Sequence, residues 1–293
     1  MERLAMRLLD GLDHPVIAVR DLDAATAAYR RLGFALAPRG SHFEWGTGNC
    51  CVMFPNEYLE LRGVVEGNRY VHGLDTFLSD QGEGLLGCAF RPALPLDALV
   101  SELQHRALEP AGPRALTRNF ELPSGTIPVR FRLVFFKPGA VPGLMSSLVC
   151  QHLTPSVLRR PEWLRHENGA LGVESVASIV DDLEEVAAAA SSMFGAEAVE
   201  RRSHVIAVAM GGGSWYYAID RGRAVDCPLL PTGGAPRLVA VSIKVSAPGL
   251  CAEMLCRNGV AYSVERGPSV VVGAKDTCGV VMAFTSGQPP WAT

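Results

Sequence analysis

Short apolar runs alternate with polar positions along the whole chain. HPVIAV (14–19) is rich in branched side chains and predicts a strand. DLDAATAAYRRLGF (21–34) follows it. Asp21 can cap a helix there, Leu22, Ala25, Tyr29 and Leu32 fall on one face, and Gly33 ends it. Three further strands are expected at ALAPRG (35–40), NCCVMF (49–54) and EYLELRG (57–63), separated by Gly, Asn and Pro. The order is strand, helix, then three strands.

The same order recurs. GVESVASIV (172–180) predicts a strand and DDLEEVAAAASSMFG (181–195) a capped amphipathic helix. AVERRS, HVIAVAM and SWYYAID follow as strands. An offset of 161 residues lays Asp182-Leu183 on Asp21-Leu22, which argues for an internal duplication. Two fainter copies fill the gaps. GLLGCAF (84–90), PLDALVSELQHRA (95–107) and strands near ALEPAG (107–112), TIPVRFRLVFF (126–136) and MSSLVCQHL (145–153) make one. LVAVSIKV (238–245), GLCAEMLCRNG (249–259), YSVERG, SVVVG and GVVMAFTS make the other. The pattern predicts an α+β fold of four βαβββ modules, paired into two cupped mixed β-sheets with helices on the outer face. Pairing is expected because one such unit leaves a sheet face bare. The expected domains are 1–158 and 172–293, joined by the charged linker RRPEWLRHENGAL (159–171).

Composition narrows the function. The 293 residues are 48% hydrophobic and 19% charged, a globular balance. The net charge of −3 gives no basic excess for nucleic acid. No apolar stretch reaches membrane-spanning length. MERLAMRLLDGLDHP lacks the apolar core and cleavage site of a secretory signal. Cys50 and Cys51 are adjacent, Cys88, Cys150 and Cys278 sit in apolar runs, and no zinc-type spacing occurs. The cysteines therefore read as packing residues, and the compartment as a cytoplasmic one. Thirty glycines and twenty prolines suit many short strands and turns. GGGS (211–214) reads as a hairpin turn, since no Lys-Ser/Thr follows it.

Strand alternation places Tyr58, Glu60 and Arg62 on one face and Leu59 and Leu61 on the other, under the helix. Glu60 then faces the concave side, where a carboxylate is solvated or bound to a cation. His14 opens the first strand. Taken alone, both residues read as ordinary strand groups. His72, His105 and His204 read as surface groups, and His166 as a tie for the linker.

LDHPVIAVRDLDAATAAYRRLGF (12–34), SHFEWGTGNCCVMF (41–54), YLELRG (58–63), GEGLLGCAF (82–90) and RPEWLRHENGA (160–170) resemble the glyoxalase-like group of the vicinal-oxygen-chelate superfamily (glyoxalase, bleomycin resistance, dioxygenase). The resemblance implies a metal site with a His on the first strand and a Glu on the fourth strand of a module. His14 and Glu60 match those positions. A third ligand is implied on the fourth strand of the partner module, where His152 or Gln151 stands; only one of them can face the cup. The donors suit divalent Fe, Mn, Zn, Ni or Co. Trp45 and Asn49 in the SHFEWGTGN turn, with Tyr58 and Arg62, are candidates for touching substrate, and Glu60 for the proton-moving carboxylate. In the second half the matching positions fall near Ser175, Tyr217, Ile243 and Ala283, with Glu174 the nearest carboxylate, so no second metal set is expected.

The expected activity is that of a divalent-metal-dependent enzyme acting on a small oxygen-bearing substrate, of lyase, isomerase or dioxygenase type. The alternatives are a metal-free small-molecule binder of the drug-resistance type and a partner-binding scaffold. The expected partner is a small molecule, with neither nucleic acid nor membrane, and a homodimer stays open.

Overall fold

The computed structural model describes residues 7–122, 124–137, 139, 142–144, 146–222, 228–231 and 234–292. The first six residues of the segment read above for a leader lie outside them. The first unit runs β1 (Leu9–Ala18), α1 (Leu22–Arg31), β2 (Gly40–His42), β3 (Thr47–Met53) and β4 (Tyr58–Val64). A short helix absent from the sequence reading, α2 (Leu74–Asp80), precedes the second unit. That unit is β5 (Gly84–Pro92), α3 (Leu96–His105), β6 (Ala111–Leu122), β7 (Gly125–Phe135) and β8 (Leu148–His152). The third is β9 (Ala170–Val180), α4 (Leu183–Phe194), β10 (Val199–Arg201), β11 (Val205–Gly211) and β12 (Ser214–Asp220). The fourth is β13 (Arg237–Val245), α5 (Pro248–Arg257), β14 (Ser263–Glu265), β15 (Ser269–Val272) and β16 (Val281–Thr285).

The helix starts follow the expected chemistry. Asp21 accepts hydrogen bonds from the N–H groups of Asp23 and Ala24, and Asp182 from those of Glu184 and Glu185. Each aspartate thereby satisfies donors that the first helical turn leaves unpaired.

Three strand positions differ from expectation. β1 begins at Leu9, so His14 lies within the strand and does not open it. Residues 35–39 form no strand; β2 begins only at Gly40, where pairing to β3 and β6 starts. Pro38, just upstream, has no N–H to give a ladder. Likewise ALEPAG is not a strand. Ala107 and Glu109 adopt positive φ, which extended backbone excludes, and β6 instead covers Ala111–Leu122.

Both sheets share one plan. The first strands of paired units run antiparallel side by side, β1 with β5 and β9 with β13. Each first strand is also parallel to the last strand of its own unit. The first sheet closes into a barrel in the order β1-β4-β3-β2-β6-β7-β8-β5. Closure rests on β6, which is long enough to pair with β7 along its length and with β2 at Gly40–His42. In the second sheet the three-residue edge strands β10 and β14 do not meet, and the sheet stays open in the order β10-β11-β12-β9-β13-β16-β15-β14.

The convex faces and their helices form one apolar core that runs through both halves. Tyr29 and Phe284 lie on either side of Phe34, with ring centroids 5.9 and 5.8 Å away, and Phe90 meets Phe194 at 5.5 Å. Leu59 and Leu61 belong to this core, as their alternation required. The connecting segment is tied to the first unit. The His166 ring accepts from the Ala35 N–H at 3.1 Å and donates to the Met53 carbonyl at 3.0 Å, and Asn168 donates to the Leu32 carbonyl.

Candidate functional site

A narrow cavity lies inside the barrel. The strands deliver its lining by alternation. Tyr58, Glu60 and Arg62 come from β4, Cys150 and His152 from β8, and Val129, Phe131 and Leu133 from β7. Gln151, of opposite parity, is not among the lining residues and pairs across the ladder with Arg132.

A β-bulge adds a residue that alternation hides. Opposite β5, Leu12 pairs with Phe90 and His14 with Ala89, so Asp13 is an extra residue in β1. The bulge lets Asp13 and His14, though adjacent, join one cluster. Asp13 Oδ1 lies 2.6 Å from His14 Nδ1 and 3.0 Å from His152 Nε2. Burial would raise the Asp13 carboxyl, yet the His152 and His14 rings beside it hold it well below the ordinary carboxylate range. An ionised Asp13 accepts from both rings. His14 Nε2 lies 3.5 Å from the Tyr58 hydroxyl and 3.5 Å from Glu60 Oε2. The His14 ring stacks on Tyr58 at 4.2 Å. His152 Nδ1 is buried with no partner among the described residues.

Glu60 is pinned from two sides. Arg62 Nη2 donates to Oε2 at 2.6 Å and Asn49 Nδ2 to Oε1 at 2.5 Å. Against the cost of burial, Arg62 first, then His14, His42 and Asn49, hold its carboxyl well below the usual range. His42 is buried beside this pair. Burial and then the Arg62 charge push its imidazole down to about 3, so it is neutral. Its Nδ1 lies 2.9 Å from Thr47 Oγ1.

Arg118 on β6 was not singled out in the sequence. It is 3% exposed and donates through Nη1 to Cys51 Sγ at 3.1 Å, while its Nε and Nη2 have no partner among the described residues. Burial pushes the Cys51 thiol up to about 12, so this partner is neutral. The guanidinium lies 4.5 Å from the centre of the Phe120 ring. Gly40 makes room for this corner. A Cβ there would sit 2.6 Å from Asn49 Oδ1 and 2.9 Å from Arg118 Cδ.

The residues expected from the sequence are thus largely gathered here. His14, Trp45, Asn49, Tyr58, Glu60, Arg62 and His152 line one cavity; Gln151 does not. Among the described residues, the His, Cys, Asp or Glu donors that approach within 4.8 Å as a set of three are Asp13, His14 and His152; Glu60 stands beside that set, next to His14. Two imidazoles and one carboxylate form a donor set that suits a divalent cation of nitrogen and oxygen preference. A cation held by the three would displace the protons they now share. His72, expected on the surface, instead stacks on Trp45 at 4.8 Å beside the cavity. His105 is exposed and His204 half-buried.

A family model described as "Glyoxalase-like domain" matches residues 12–194, more than half of the chain. The chain belongs to the glyoxalase-like domain family. It is therefore a member of the vicinal-oxygen-chelate superfamily. The fold of this glyoxalase-like protein is similar to that of a hypothetical protein from Staphylococcus aureus, with a TM-score of 0.67 and 13% identity over 93% of this chain and 98% of that one. A mutant 4-hydroxymandelate synthase from Streptomyces coelicolor gives a TM-score of 0.59 and 10% identity over 94% and 92%. A xylose isomerase-like TIM barrel/4-hydroxyphenylpyruvate dioxygenase fusion protein gives 0.59 and 11% over all of this chain and 52% of that one. These likenesses concern the fold. Comparison with curated proteins gives no match.

The second half of the glyoxalase-like protein has a different interior. Ser175 Oγ lies 2.6 Å from Ser242 Oγ, which is 3.4 Å from Glu174 Oε2. The concave face of its sheet is filled by side chains such as Tyr217, Leu230 and the fully buried Trp291.

Proposed function

We propose that the barrel cavity is the active site of a divalent-metal-dependent enzyme acting on a small oxygen-bearing organic molecule. The observation that carries this reading is the convergence of Asp13, His14 and His152, brought from β1 and β8 to within 4.8 Å of one another. A metal bound there would supply a Lewis acid with open positions for substrate oxygens. The surrounding residues supply the rest. Arg62 and Asn49 keep Glu60 ionised and fixed 3.5 Å from His14 Nε2. That charge sits where a developing cation or a mobile proton would be stabilised. Trp45, Tyr58 and the β7 residues exclude water around it.

A second reading has its own observation. The 2.6 and 3.0 Å contacts already satisfy Asp13 with ring N–H groups alone. A metal-free binder would need nothing more. One experiment separates the two. Purified protein, reloaded with Mn²⁺ and desalted, should carry about one metal per chain, as Asp13→Asn, His14→Ala and His152→Ala variants should not. Each variant is checked for folding by circular dichroism. Folded wild type that takes up no Mn²⁺, Fe²⁺, Co²⁺, Ni²⁺ or Zn²⁺ would leave the binder as the better reading.

A further inference from the structure

Arg118 is buried with no charged group in hydrogen-bond contact among the described residues; Glu60 acts on it only at longer range. Among the described residues it makes no ion pair, whereas its neighbour Arg62 is matched by Glu60 at 2.6 Å. Its contacts are a neutral thiol and the face of Phe120. A buried guanidinium with unmade hydrogen bonds is destabilising unless something completes it. The unmade bonds are specific ones. Nε and Nη2 form one edge of the guanidinium, two roughly parallel N–H groups at the spacing of two oxygens on one carbon. The contact of the guanidinium carbon with the Phe120 ring, 4.5 Å from its centre, uses neither of these N–H groups.

The surroundings narrow what can sit there. Two guanidinium groups line the cavity; Arg62 is matched by Glu60 at 2.6 Å, which leaves Arg118 as the one without an ion pair among the described residues. That balance favours a monoanion over a dianion such as phosphate. Across the space, Val129, Phe131 and Leu133 present an apolar wall.

We infer that Arg118 is the anchor for the carboxylate of a small organic acid, held through its Nε and Nη2 edge with the acid's apolar body against β7. The inference rests on the reading of the barrel cavity as a substrate site, and it does not depend on the metal. It commits the substrate to the class of small monocarboxylates.

The test uses full-length, chelator-treated protein, with benzoate as probe, benzamide as its neutral counterpart and inorganic phosphate as the rival anion. Binding is read by calorimetric titration and by the thermal midpoint. Benzoate should bind and raise the midpoint, and benzamide and phosphate should not. Arg118→Met should keep or raise the midpoint of the ligand-free protein, because a buried unpaired charge is removed. It should also lose benzoate affinity by more than about tenfold. Arg118→Lys keeps the charge but loses the fork, and should likewise weaken benzoate; this variant carries the test if Arg118→Met does not fold. Equal binding of benzamide, preference for phosphate, or benzoate affinity unchanged in the folded variants would overturn the inference. Since the metal is absent throughout, a failed metal assay leaves this result readable.

Discussion

Glu60 lies against the Arg62 guanidinium, whereas Glu174 has only the Ser242 hydroxyl at 3.4 Å and the more distant Lys244. Burial acts on both carboxyls, but only Glu60 has a close cation to offset it. Glu174 is pushed up to about 7 by burial, with Ser242 and Lys244 pulling weakly the other way. The sign of the consequence follows from proton binding. Between its ordinary value of 4.5 and about 7, the folded state holds a proton that the unfolded chain has released. Stability should therefore fall as pH rises through that window, and the loss should stay complete above it. Glu174→Gln removes the titration. Urea unfolding at pH 5, 6, 7 and 8 should show the variant gaining on the wild type as pH rises. Parallel stability curves would show that Glu174 ionises like a solvated carboxylate.

At the scale of elements, the legible part was the part with strong periodicity. The α1 and α4 starts, the parity of Tyr58, Glu60 and Arg62, and the turn at Gly211–Gly213 follow from local rules that tertiary packing did not override. The illegible part arises from pairing at long range. Asp13 was hidden because strict alternation sends it away from His14, and only the register between β1 and β5 reveals the extra residue. Its one local sign was to stand next to the histidine. Arg118 was hidden because β6 is recognisable mainly through its partners; all 12 of its residues follow Pro110, and 10 of them lie beyond Gly112, where the expected strand ended. Of the two candidates for the third ligand, parity with Cys150 brings His152 to the cavity and not Gln151. The bulge makes the metal prediction sharper than the sequence did, because it names Asp13→Asn as a variant that should fail to hold metal while conserving side-chain size.

At the scale of the molecule, four units on one plan have unequal interiors. The first pair closes a barrel around polar groups, and the second pair fills its concavity with Trp291 and its neighbours. The two pairs are nonetheless not energetically separate. Their convex faces share one apolar core, Tyr29 donates to the Thr277 carbonyl, and the Leu8 N–H donates to the Met193 carbonyl. Separating the halves would expose the apolar surface that helices α1, α3, α4 and α5 bury together, at roughly 25 cal/mol for each Å². Unfolding should then be a single transition despite the repeated plan. The tryptophans provide reporters on each side. Trp45 and Trp163 lie in the first half, and Trp215 and Trp291 in the second. A Trp215→Phe/Trp291→Phe protein reports only the first half, and a Trp45→Phe/Trp163→Phe protein only the second. Within each variant, the fluorescence midpoint in urea should coincide with the midpoint of far-ultraviolet circular dichroism. A fluorescence transition that precedes the loss of secondary structure in either variant would mean that the halves part before they unfold, and that the shared core is an interface and not a common centre.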